Sequence, residues 1–247
     1  RSGGGARMLI FNLHHVEDRI RHPSRKHITI SPKGFRRFIR TLRLVGFEIV
    51  SLRDVLAEPS LLRSCKRLAI LTFDDGYVNN YEIAAPILEE ERCPATIFAL
   101  PGRFGGTNEW DQGDFPEEQR DPLMTLGQMQ ALAKSPFITF GSHGMLHRNF
   151  ARLEADDLQY ELNESYRILS ERLGNAFLPV LAYPWGTYSN AVLQAMEATL
   201  YRFAFTVETA PWTAETPHFE VPRYSVFFRD GNPVVLLAKL CRHKALF

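Results

Sequence analysis

Two adjacent carboxylates, Asp74 and Asp75, end the apolar run in "LAILTFDDG". Neighbouring side chains on a strand point to opposite faces, so the two acids cannot do the same job. A second pair of reactive groups, His143 and His147, follows the apolar run "FITFGS" at H-x-x-x-H spacing. If that segment turns helically, both imidazoles fall on one side, about one turn apart. Neither pair is decisive alone. Asp-Gly after a strand is ordinary turn chemistry, and a chain with 8 histidines produces this spacing by chance. The zinc-protease pattern is excluded, because position 144 is Gly and not the Glu that would act as base. Two histidines leave a divalent ion under-coordinated. With one carboxylate they become a 2-His-1-carboxylate set with open positions for water and substrate. A second acid beside such an ion can serve as general base for hydrolysis.

The elements that must position these residues follow from the apolar pattern. Strand-like runs recur as "RMLIFNL", "FEIVSL", "LAILTF", "ATIFAL", "FITFGS", "VLAYPW", "FAFTV" and "VPRYSVFF". Helix-like segments lie between most of them. "SPKGFRRFIRTLRLVG" has an N-cap Ser, Pro at the first helical position, an apolar stripe through Phe35, Phe38, Ile39, Leu42 and Val45, and a terminating Gly46. "NNYEIAAPILEEE", "TLGQMQALAK", "EADDLQYELNESYRILSERLG" and "SNAVLQAMEATL" read the same way, and "VVLLAKLCRHKALF" reads as a terminal helix. Alternating strands and helices imply parallel βαβ units, and this number of units in 247 residues fits a β/α barrel. A doubly wound open sheet is the alternative. In a barrel the strand ends share one face, which would gather His14–His15, Asp74–Asp75, His143, His147 and Trp185–Gly186. The irregular segment 101–122, with Trp110 at its middle, is long enough to expect a functional loop at that face. No repeat or linker interrupts the chain, so one domain is expected over residues 8–247. Residues 1–7, "RSGGGAR", read as a flexible lead or an added tail.

Composition narrows the classes. The 45% hydrophobic and 23% charged fractions are those of an ordinary globular protein. A formal net charge of +1 provides no broad basic field for nucleic acid. "EDRIRHPSRK" is mixed in sign and reads as a solvated loop. Cys65, Cys93 and Cys241 are scattered and odd in number, which excludes a disulfide framework and favours a reducing, cytoplasmic compartment. No membrane-spanning run and no signal peptide is legible, although export after loss of a leader is compatible with the sequence. Oligomeric state leaves no mark in it.

"LTFDDGYVNNYEIAAPILEEERCPATIFAL" resembles the first motif region of the polysaccharide deacetylases, the NodB-homology enzymes of carbohydrate esterase family 4. "FGSHGMLHRNFARL" resembles their second motif and "LAYPWGTYS" their third. "MLIFNLHHVED" and "GFEIVSLRDVL" resemble the opening of the rearranged-motif subgroup that includes the poly-N-acetylglucosamine deacetylases. The similarity runs from about residue 8 to about residue 228. It implies a distorted (β/α)7 barrel and removal of N-acetyl groups from a sugar or polysaccharide. By the same resemblance Asp74 is the catalytic base, and Asp75, His143 and His147 are metal ligands. His14 rather than His15 is then the general acid. Tyr183, Pro184, Trp185 and Gly186 line the groove, with the Trp185 amide helping to hold the oxyanion. Zn²⁺ is the expected ion, and two His with one Asp would also accept Co²⁺, Ni²⁺ or Mn²⁺.

Two departures stand out. Gly144 replaces the usual Ser or Thr after the first metal histidine, and Ala182 replaces the Arg that pairs with the base. Arg223, in "EVPRYSV", is the candidate replacement for that Arg; beside Asp74 it would hold the carboxylate ionised and aimed. Because sugars stack on aromatic faces, Trp110, Tyr183, Trp185 and Trp212 are candidate platforms. His22, His27, His218 and His243 read as surface residues. The departures leave two rival functions open: a catalytically weak carbohydrate-binding relative, and a hydrolase of a cyclic amide on the same barrel.

Overall fold

The computed structural model describes residues 8–18, 23–111, 116 and 119–243. The expectations for residues 1–7, for His22 and for the last four residues of the terminal segment lie outside the described residues. Ten strands and seven α-helices are described. The strands are β1 (Met8–Leu13), β2 (His15–Val16), β3 (Thr29–Ile30), β4 (Glu48–Ile49), β5 (Leu68–Phe73), β6 (Ala95–Ala99), β7 (Ile138–Ser142), β8 (Phe177–Ala182), β9 (Phe203–Phe205) and β10 (Tyr224–Ser225). The helices are α1 (Pro32–Leu44), α2 (Leu52–Ala57), α3 (Ala85–Glu90), α4 (Leu126–Leu132), α5 (Ala155–Leu173), α6 (Asn190–Glu197) and α7 (Pro233–Arg242).

The main sheet is parallel in the order β10-β1-β5-β6-β7-β8-β9, with β4 beside the start of β5. Its two ends are joined by the segment leading into β10. The Val221 amide donates to Ala204 O at 2.9 Å on the β9 side, and the Val226 amide donates to Asn12 O at 2.8 Å on the β1 side. The curled sheet with its outer helices is a distorted (β/α)7 barrel.

Alternation along the strands sorts the side chains between two cores. Leu9, Phe11, Leu13, Ala69, Leu71 and Phe73 face outward into the cluster that holds Phe35, Phe38 and Leu42 of α1. Met8, Ile10, Leu68 and Ile70 face inward with Phe98, Val180, Phe205 and Trp212. Leu52, Val55 and Leu56 of α2 join the inner cluster beside the strand starts and plug that end of the barrel. Full burial of each such side chain contributes about 1.5–3 kcal/mol. Local signals set the helix ends: Ser31 accepts from the Gly34 amide at 3.1 Å, with Pro32 opening α1.

Several sequence expectations need correction. "FEIVSL" contributes only the Glu48–Ile49 pair, an edge short of partners beyond β5. "VPRYSVFF" contributes only Tyr224–Ser225; Pro222 has no amide to donate, and Phe227 and Phe228 turn out to solvent. Within "VLAYPW" the strand stops at Ala182, where a Pro184–Gly186 turn begins. Trp212 offers no sugar platform, being fully buried in the inner core against Phe203 and Phe205. Arg25, within a stretch read as solvated, is buried and ion-paired to Asp111 and Asp121.

Candidate active site

Asp74 follows Thr72 on the inward face of β5 and is 3% exposed. Arg223, itself fully buried, meets it with both arms of its guanidinium: Nη1 to Oδ1 at 2.7 Å and Nη2 to Oδ2 at 2.8 Å. The fork is fixed from behind, where Nε donates to Thr206 O at 2.9 Å and the group lies over the Phe98 ring. Burial, the largest single influence, would push the Asp74 carboxyl up, but Arg223, His143 and His14 together outweigh it and hold the pKa below its ordinary value. The side chain is therefore an ionised carboxylate with restricted aim. Where Ala182 has no charged side chain to offer, the guanidinium reaches Asp74 from the residue just before β10.

Asp75 leaves the strand with φ 72°, which turns its side chain away from Asp74. Its Oδ1 stands 3.3 Å from Nε2 of both His143 and His147. Burial would raise the Asp75 pKa, but the two imidazoles hold it well below the carboxylate range. His143 Nδ1 is 2.7 Å from Ala182 O. A carbonyl only accepts, so Nδ1 carries the hydrogen, and Nε2 is the ring atom turned toward Asp75. Asp75 Oδ1 and His147 Nδ1 are buried with no formed hydrogen bond among the described residues. Donor atoms each about 2.0–2.1 Å from one tetrahedral ion stand roughly 3.3 Å apart. The spacing and the orphaned oxygen therefore fit a divalent ion held by Asp75, His143 and His147, whose three donor atoms lie within 4.8 Å of one another.

The turn carrying the two histidines explains Gly144. Its φ is +79°, and a Cβ there would lie 2.9 Å from Glu161 Oε2 and 3.0 Å from the Phe150 ring. No Ser or Thr fits without displacement. The hydroxyl comes from the other side: Ser142 Oγ accepts from the Gly144 amide at 3.1 Å and donates to Ser165 Oγ at 2.9 Å. Beneath the turn, the fully buried Glu161 accepts from the Met145 amide at 2.6 Å and the Leu146 amide at 3.1 Å.

The pocket above these groups encloses about 340 Å³, within the range of small-ligand sites. His14 lines it, together with Asp74, Asp75, His143 and His147. Burial lowers the His14 pKa against the opposing pull of Asp75 and Asp74, so its resting imidazole is neutral at neutral pH. His15 points elsewhere, stacked on Tyr77 at 3.9 Å. Trp110, from the long loop, stacks on His147 at 4.3 Å, and Trp185 meets the same ring edge-on at 4.9 Å. Trp185 has φ 61° and is 50% exposed. Its turn is closed by Gly186 N to Tyr183 O and Thr187 N to Pro184 O, which leaves the Trp185 amide outside the turn's hydrogen bonds. Gly186 is required there, since a Cβ would meet Val207 at 2.4 Å. Asp75, His147 and Trp185 are three of the four non-glycine residues with positive φ among the described residues; such strain concentrates at functional sites.

Two predicted groove residues sit differently. Tyr183 borders the pocket but has no exposed surface; its ring packs on Tyr188 and its hydroxyl donates to Phe219 O. Pro184 is buried and shapes the turn rather than lining the pocket. His27 is exposed and borders the pocket, while His218 and His243 pack on Phe203 and Tyr224. Asn12, Arg25, Tyr77 and Asp111 also line the site, and sequence reasoning passed over them. Asn12 had a signal: it is a lone polar residue in an apolar strand, two positions before His14 and on the same face. Glu161 had one too, falling in the apolar stripe of α5 beside Leu158 and Leu162.

Three comparisons bear on this geometry. The profile of the family described as Polysaccharide deacetylase matches residues 63–204, more than half of the chain. The Bacillus subtilis protein YxkH is 25% identical over 182 residues, covering 73% of this chain and 60% of that protein. The poly-beta-1,6-N-acetyl-D-glucosamine N-deacetylase of Staphylococcus epidermidis is 22% identical over 210 residues, covering 81% of this chain and 69% of the relative. The chain thus spans roughly 60–69% of the length of these curated relatives. Among solved structures, IcaB from Ammonifex degensii superposes with a TM-score of 0.77 at 20% identity, over 95% of this chain and 98% of that one. With the barrel in place and the family profile matched across the strands that carry Asp74, Asp75, His143 and His147, the chain belongs to the polysaccharide deacetylase family.

Proposed function

We propose that this protein is a metal-dependent hydrolase that removes N-acetyl groups from an N-acetylglucosamine-containing polysaccharide. The observation that carries the reading is the buried Arg223 fork on Asp74 beside the Asp75–His143–His147 donor set. The Staphylococcus relative, by its name an N-deacetylase of a β-1,6-linked glucosamine polymer, supports the substrate class. Asp75, His143 and His147 would hold a divalent ion, Zn²⁺ in the first instance, which would supply Lewis acidity toward the acetyl carbonyl and toward a water. Asp74, kept ionised by Arg223, takes the proton of the attacking water. The Trp185 amide donates to the oxygen that becomes negative as the carbonyl carbon turns tetrahedral. The proton taken by Asp74 passes to His14, neutral at rest, which delivers it to the departing amine. Trp110 and Trp185 flank the site and offer apolar faces to the sugar ring. Gly144 and Ala182, the two departures that favoured a merely binding protein, are matched here by Ser142 and Arg223.

Acetate release from N-acetylglucosamine oligomers tests the reading. Activity is expected to disappear after exhaustive chelation and to return on adding Zn²⁺, Co²⁺, Ni²⁺ or Mn²⁺. Full turnover by metal-free protein, or metal binding with no acetate released from any acetylated sugar, would contradict it.

A further inference from the structure

A second depression of about 1120 Å³ lies between the Phe228–Gly231 turn and α7. It is not separate from the active-site pocket, because His27 and Val207 line both. Nine large apolar side chains are left exposed among the described residues. Six of them, Trp185, Val207, Phe227, Phe228, Val234 and Val235, lie on the path that runs from the pocket into this groove. The remaining three are scattered, so the clustering is not the ordinary background of exposed apolar residues.

The exposed charges along the groove, among the described residues, are of one sign. Among the described residues Lys26, Arg229, Lys239 and Arg242 line it, and Asp230 is the only carboxylate that does. Asp230 is buried and already engaged, accepting from Lys239 Nζ at 2.7 Å and from the Phe227 amide at 2.8 Å. Lys26, Arg229 and Arg242 are exposed, and no carboxylate of the described residues pairs with them. Lys26 and Lys239 also sit over the rings of Phe228 and Phe227, at 5.8 and 4.8 Å. Aromatic faces beside Lys26, Arg229 and Arg242, which no carboxylate of the described residues pairs, suit a strand of sugar rings bearing negative groups. They are unsuited to a chain already deacetylated, whose free amines are cationic.

We propose that this groove is an extension of the substrate site and holds the portion of an anionic polysaccharide, its repeat bearing phosphodiester or uronate groups, that adjoins the N-acetylated sugar in the pocket. The proposal rests on the deacetylase reading for what occupies the pocket, but the groove's binding is measurable without turnover. Electrophoretic retardation of the full chain in gels containing one polymer each separates the two: a neutral β-linked N-acetylglucosamine polymer, an N-acetylglucosamine–glucuronate copolymer, a phosphodiester-linked N-acetylglucosamine polymer and a partly deacetylated glucosamine polymer. At least one anionic polymer is expected to bind roughly tenfold more tightly than the neutral one, and the cationic polymer most weakly of all. The Arg229→Glu, Arg242→Glu double variant should lose that preference, a size expected for a few exposed charge contacts, and added salt should weaken it. Lys26→Glu, outside α7, repeats the test should the double variant fold poorly. Equal retardation by neutral and anionic polymers, or an unchanged preference in both variants, would overturn the proposal. So would binding to phosphatidylglycerol vesicles that is lost in the variants while no anionic glycan is preferred. A retained anionic preference without acetate release from any substrate would instead count against the deacetylase reading and leave the groove standing.

Discussion

At the scale of the residue, Asp74 and Arg223 define what the site can do. Replacing Arg223 with Met leaves a carboxylate buried without its counter-ion, a change that costs about 3–5 kcal/mol in comparable buried pairs. A lower melting temperature is expected, together with a shifted pH profile. In the native protein the Asp74 pKa is depressed, so its stabilising contribution is present above the ordinary value of 3.8 and is lost as pH falls through the depressed one. Without Arg223, burial dominates and raises the pKa, and the acid limb of the pH–rate profile moves to higher pH. An unmoved acid limb would show that Arg223 does not govern the base. Asp74, Asp75, His143 and His147 were legible in the sequence because each sits beside a strand end that the apolar pattern reveals. Arg223 could be named only as a candidate, since it lies 149 residues from Asp74 and only barrel closure brings the two together.

At the scale of the element, the turn after β7 is built to hold two imidazoles at one point. Gly144 allows the left-handed backbone, and Glu161 of α5 accepts two amides of the same turn. Gly144→Ser restores the residue type usual at this place in the family, yet it should destabilise the protein by roughly 1–3 kcal/mol and weaken metal binding, read by thermal melting and metal titration. A serine variant as stable as the parent and better at binding metal would refute this account of the turn. Such compensation is invisible to motif comparison, because Ser142, Ser165 and Glu161 make up for Gly144 from positions the motif does not include. The short β4 and β10 were over-read for a related reason: apolar composition marks burial, and burial at a barrel edge does not require a hydrogen-bonded ladder.

At the scale of the whole molecule, barrel closure brings distant segments over one pocket and the long loop adds a wall. Arg25 reaches Asp111 at 2.6 Å and Asp121 at 3.2 Å, pinning that loop so that Trp110 lies on His147. Trp110→Ala removes a stacked aromatic contact of about 0.5–1.5 kcal/mol. A several-fold rise in KM for an N-acetylglucosamine oligomer is expected, with a smaller change in kcat; an unaltered KM would mean that the loop does not border bound sugar. No helix among the described residues is long and apolar enough to cross a membrane. The parallel barrel and the face where its strand ends meet were readable from strand–helix alternation, with a doubly wound sheet as the alternative. The strand order and the groove beside α7 were not; the groove exists only once Lys26, Val207 and α7 have been folded together.

The central claim is a division of labour between two adjacent acids, Asp75 for the metal and Asp74 for the water. It is tested most directly by measuring acetate release by the Asp74→Asn protein at confirmed metal stoichiometry. The expected result is an equal metal content to the parent with turnover reduced by about 10²–10⁴-fold; near-parental turnover with metal bound would contradict the assignment.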